Sequence, residues 1–170
     1  MSRAQPLASI PVGVVIERRK AKSPWVNFVW RPVAVLPGVP DAAPWTALDG
    51  DVDRMNFYGG SAKIELYRSD ASGYRDNLAT DAALLWVALR PTGLEPPYEI
   101  AAVTAEPSEG ETFTESAGDI VETVPMPEPV RAAIAAFVAE HHVENPFVSR
   151  KRDRADPEAM ARGTPSKDRK

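Results

Sequence analysis

Cysteine is absent from the 170 residues. Its absence excludes disulfides, iron–sulfur ligation, thiolate zinc sites and cysteine nucleophiles together, and it fits a reducing compartment. Histidine is nearly absent too. His141 and His142 are adjacent, so on a helix they point roughly 100° apart and cannot grip one ion as an i, i+4 pair would. Glycine is outnumbered by proline, 10 to 17, which favours strands with long connections over helices. The one glycine doublet, Gly59-Gly60 before Ser61, lacks the lysine and the spacing of a phosphate loop, and no Gly-x-Ser-x-Gly elbow occurs. No apolar run approaches the roughly 20 residues of a membrane span. Asp49-Gly50-Asp51-Val52-Asp53 begins like a calcium loop. It has Arg54 where that loop needs glycine and Gly60 where it needs glutamate. No catalytic, cofactor-binding or metal-ligating residue is therefore assigned, and no cofactor is expected.

Basic charge is scarce in the body and concentrated at its end. The chain carries −4 overall, but Arg150 to Lys170 carries +4, which leaves residues 1–149 at −8. An acidic body argues against nucleic acid as a partner, since neutralising phosphates needs a basic face. Two basic stretches remain as possible partner contacts. Arg18, Arg19, Lys20 and Lys22 lie beside Trp25, and Arg150, Lys151, Arg152 and Arg154 open the tail. Each also reads as an ordinary solvated segment. At the other terminus the apolar run Ile10 to Ile16 is broken by proline and glycine and precedes its charges. Secretory signals have the reverse order, so this run is read as a strand of a cytoplasmic protein.

What is present is mostly strand pattern. Ile10, Val12, Val14 and Ile16 alternate with other residues, and "ERRKAKSP" follows as a charged turn. In "SPWVNFVWRPVAVLPG" Val26, Phe28 and Trp30 share one face, and Pro32 marks an edge or a bulge. Aromatics so placed supply buried area in a small core, in preference to a ligand platform. Leu36 to Gly60 reads as a long loop, Ala62, Ile64 and Leu66 as one strand face, "YRDNL" as a return strand and Leu84 to Arg90 as a central strand. "YEIAAVTA" pairs with it, an acidic loop runs from Glu106 to Asp119, and "IVETV" is the last strand. Val130, Ile134, Phe137, Val138 and His141 then fall at helical spacing after Pro127 and Pro129.

The expected fold is α+β and mainly β. It is an antiparallel curled sheet or small partly open barrel of about six or seven strands, with one C-terminal helix packed on it. Residues 1–8 are expected to be flexible and 9–148 to form a single β-rich domain ending in an amphipathic helix over about 128–142. Residues 149–170, nearly free of apolar side chains, are expected to be a basic disordered tail. Trp30, Phe28, Trp86, Ile134 and Phe137 are expected to share the core.

Taken together, "IPVGVVIERRKAKSPWVNFVWRPVAVLPGVP", "GSAKIELYRSDASGYRDNL", "LWVALRP" and "VPMPEPVRAAIAAFVAEHHVENPF" resemble an uncharacterised proteobacterial family. Its members are typically encoded near molybdenum-dependent formate dehydrogenases. The resemblance implies a non-enzymatic accessory protein that assists assembly or maturation of such a molybdoenzyme through protein contacts, its partner being that enzyme or its accessory proteins. One alternative is an enzyme or nucleotide-binding protein of molybdopterin-guanine dinucleotide synthesis. The nucleotidyltransferase of that synthesis resembles a Gly-Gly-x-Ser-x-Arg-x-Gly loop after its first strand, whereas Glu17 to Lys22 here contain no glycine. A second alternative is a small RNA-binding module using the basic hairpin and Trp25.

Overall fold

The computed structural model describes residues 4–142. β1 (Ala8–Lys20) is long because its apolar side chains continue to Ile16 and its charged end is still paired on both sides. β2 (Phe28–Pro37) and β4 (Arg54–Leu66) flank it antiparallel, and β3 (Thr46–Gly50) pairs with β4, giving the order β2-β1-β4-β3. Pro32 is accommodated in both of the expected ways. It lies on an edge strand, and the register shifts beside it, where Val15 faces Ala34 but Ile16 faces Pro32. The extra residue on β2 relieves the ladder where proline has no N–H to give.

The second sheet is antiparallel with β5 (Leu84–Pro91) at its centre, between β6 (Tyr98–Thr104) and β7 (Ile120–Pro125). β2 runs beside β7 and β4 beside β6, so the two sheets curl around one core without a continuous ladder joining them. Val12, Val14 and Ile16 meet Leu85, Val87 and Leu89 there. α1 (Ala71–Leu78) and α3 (Glu128–His141) pack against each other and the core, with Tyr74 and Phe137 edge to face at 6.0 Å. Val130, Ile134 and Phe137 are the buried stripe of α3.

Several expectations need correcting. "ERRK" is strand, not turn, and the turn begins only after Lys20. The stretch from Leu36 to Gly60 holds β3 and half of β4, joined by the acidic run. Asp51 Oδ1 accepts the N–H groups of Asp53 and Arg54, and Gly50 takes φ 132, so the acids make a tight turn. "YRDNL" lies in α1, where Asn77 is buried as a polar hub. It donates to the carbonyls of Leu84 and Ala105 and accepts from Leu84 N–H. The acidic loop contains α2 (Pro107–Phe113), because the Glu106 carboxylate caps the N–H groups of Ser108 and Glu109.

The core expectation holds for Ile134 and Phe137. Trp86 is only half-buried. It alternates away from Leu85 and Val87 and lies under α2 against Gly110, where a Cβ would sit 2.1 Å from its ring. Phe28 and Trp30 are half-buried, Trp30 being packed against the core cluster and Phe28 lying outside it.

Candidate interaction site

Two turns lie side by side at one end of the larger sheet. The β1–β2 turn carries Lys22 and Trp25, and the β3–β4 turn carries Val52. Lys20 N–H donates to Asp53 O at 2.8 Å and ties the two together. Trp25 is 91% exposed, Val52 81% and Val29 53%. Apolar side chains of that size, standing in water on a braced hairpin beside lysines, stabilise nothing in the isolated fold.

The basic run is divided between the two faces of the sheet, because successive strand residues point to opposite sides. Arg18 points to the face that carries Phe28, Trp30 and Phe57. Its guanidinium lies 4.5 Å from the Phe28 ring centroid, 5.2 Å from Phe57 and 5.9 Å from Trp30. A cation stacked on three rings explains why these aromatics stay near the surface. Trp30 then continues the cluster to Trp45 at 5.7 Å and Tyr98 at 6.3 Å. Of the three aromatic residues in "SPWVNFVWRPVAVLPG", Phe28 and Trp30 join this packing and Trp25 stands outside it.

The opposite face is organised around a buried acid. Glu17 is 1% exposed, and three arginines from three strands converge on its carboxylate. Arg19 Nε lies 3.3 Å and Arg31 Nε 3.1 Å from Oε1, and Arg54 Nε lies 2.6 Å from Oε2. The register explains the convergence, since Glu17 pairs with Arg31 across one ladder and Arg19 with Arg54 across the other. Burial alone pushes the Glu17 carboxyl up. The hydrogen bonds and charges of Arg54 and Arg31 outweigh it and hold the group below its ordinary value. A shallow cleft of about 170 Å³ opens among Glu17, Arg19, Val29 and Arg31.

Arg18, Arg19, Lys20, Lys22 and Trp25 are thus brought to one end, though not to one face. Arg150, Lys151, Arg152 and Arg154 lie outside the described residues. Arg31 and Arg54 join the site and were missed by sequence reasoning. Arg31 lies at the expected period within an aromatic strand, but Arg54 sits in what reads as a loop, and no local pattern pairs either with Glu17. The histidines are elsewhere. His141 stacks on Phe137 at 4.5 Å and His142 Nε2 lies 2.9 Å from Arg75 Nη1. A second concavity, about 470 Å³, lies along the β4–β6 seam between Trp45, Pro44, Leu94, Pro96 and Tyr98.

The chain is therefore a mainly β domain of two antiparallel sheets, with a basic, tryptophan-tipped hairpin at one end. It belongs to DUF3305, a protein family of unknown function, whose family model matches residues 11–152. No curated protein and no solved structure matches it. Among the described residues no helix is long and apolar enough to cross a membrane.

Proposed function

We propose that this protein is a non-enzymatic accessory factor that acts by protein contact through its basic hairpin end. The client is a formate dehydrogenase-type molybdoenzyme or one of that enzyme's accessory proteins. The single observation that supports a contact role is Trp25, 91% exposed at the tip of a hairpin whose base is fixed by the Arg18 aromatic stack. Exposed tryptophans beside basic residues are the kind of anchor on which interface energy concentrates. The choice of client rests on the resemblance of the sequence segments quoted above, and the fold leaves it open.

The test is affinity capture of the tagged protein from cells producing the dehydrogenase, with captured subunits identified by mass. The parent is expected to retain a dehydrogenase subunit or maturation protein, and Trp25→Ala to lose it. Turnover of a nucleotide by the purified protein would instead favour the cofactor-synthesis alternative. Steeply salt-dependent binding to RNA would favour the nucleic-acid alternative.

A further inference from the structure

Glu17, Arg19, Arg31 and Arg54 form an arrangement that stability alone does not account for. A carboxylate covered by three guanidiniums still pays to leave water, and such a shielded ion pair is weak evidence of stabilisation. The three guanidiniums above it remain about half exposed, at 51%, 45% and 58% for Arg19, Arg31 and Arg54. Each meets Glu17 through Nε, and no terminal Nη of the three donates a hydrogen bond to another described residue. The acid therefore holds the inner edges of three cationic groups while their forked outer edges face solvent. With three positive charges against one negative, the group is left at about +2 at neutral pH.

We infer that this arginine fan is a preorganised receptor for carboxylates, and that it recognises an acidic segment of the partner protein. The inference rests on the protein-contact reading above and adds the chemistry of the partner. A planar guanidinium presents paired donors that match a carboxylate, and an arginine already fixed by Glu17 loses less side-chain freedom on binding than a free one. The cleft of about 170 Å³ beside Val29 has room for a carboxylate-sized group and one short apolar contact. A long polyanion is poorly matched, because residues 1–149 sum to −8 and it would run from the basic end onto acidic surface. The expected partner segment carries Asp or Glu beside an apolar residue, the acids on the fan and the apolar group against Val29.

The test uses the full chain and a fluorescently labelled hexaglutamate peptide, followed by anisotropy. Arg31→Ser with Arg54→Ser is compared with Lys20→Ser with Lys22→Ser, two double variants that lose equal charge. The arginine pair is expected to weaken binding about tenfold and the lysine pair about twofold, because fixed forks are worth more than mobile point charges. Glu17→Gln makes the protein more positive, yet it is expected to weaken binding about threefold because the guanidiniums lose the group that orients them. Equal loss in the two double variants overturns the inference, as does tighter binding by a folded Glu17→Gln. If Glu17→Gln does not fold, the charge-matched pair still decides. Preference for a uridylate decamer over the peptide also overturns it, in favour of nucleic acid. If the dehydrogenase is captured equally well by the arginine double variant but lost with Trp25→Ala, the fan is wrong and the contact reading stands. If hexaglutamate binds as described and no dehydrogenase protein is captured, the choice of client is wrong and the fan stands.

Discussion

Arg54 donates its Nε–H to Glu17 Oε2 at 2.6 Å, although the two residues are 37 positions apart in the chain. The bond joins β1 to β4, the two inner strands of the larger sheet, the second of which follows the acidic turn. Glu17 is thereby shielded from water by the very arginines that it orients on the outer face of the sheet. Removing its charge is expected to cost about 1–3 kcal/mol in Glu17→Gln, below the roughly 3–5 kcal/mol of a fully buried broken pair because the guanidiniums reach water. Denaturant unfolding monitored by circular dichroism checks this.

The same carboxylate gives stability a defined pH dependence. Its folded-state value lies below the ordinary 4.5, so its contribution is fully present above that value and is lost as pH falls through the lower, folded one. Parent and Glu17→Gln melting temperatures are expected to differ most at neutral pH and to converge in the acid range. A difference that stays constant down to pH of about 2 would show that the carboxylate is not held by charge.

Phe137→Ala is expected to destabilise by about 3–5 kcal/mol, the range for aromatic truncation in a core. It removes the edge-to-face partner of Tyr74 and the stripe residue that joins α3 to α1. Asn77→Ala is expected to cost about 2–4 kcal/mol, since it strands the buried Ala105 carbonyl and the partly buried Leu84 backbone groups that its amide satisfies.

Trp86 and Gly110 make a coupled pair. Gly110→Ala is expected to destabilise by about 1–3 kcal/mol through overpacking, since its Cβ would meet the Trp86 ring at 2.1 Å. Trp86→Leu in the same chain is expected to recover part of that loss, giving a non-additive cycle. Additive effects would place Trp86 away from α2.

How much of this could be read from the sequence depended on whether the signal was local. The alternation of Ala62, Ile64 and Leu66, the continuous apolar run around Val87 and the helical stripe Val130, Ile134 and Phe137 are local signals, and all three lie in the elements expected of them. Helices α1 and α2 are short and depend on tertiary partners. Asn77 reaches two distant carbonyls, and Glu106 supplies a cap within a run of acids that reads as loop. The candidate site was half legible. A cluster of Arg18, Arg19, Lys20 and Lys22 beside Trp25 shows in one dimension. Its division between an aromatic stack and a carboxylate fan depends on the sheet register, which brings in Arg31 and Arg54 from other strands.

The measurement that bears most directly on the contact role is quantitative capture of dehydrogenase subunits by the parent and by Trp25→Ala. At 91% exposure Trp25 supports no core, so the variant is expected to melt with the parent, within about 0.5 kcal/mol. Retention of a dehydrogenase subunit or maturation protein by the parent, with its loss in an equally stable Trp25→Ala, is the expected result. Capture of the same subunit in equal amount by both proteins, or of no such subunit by the parent, would contradict the proposed function.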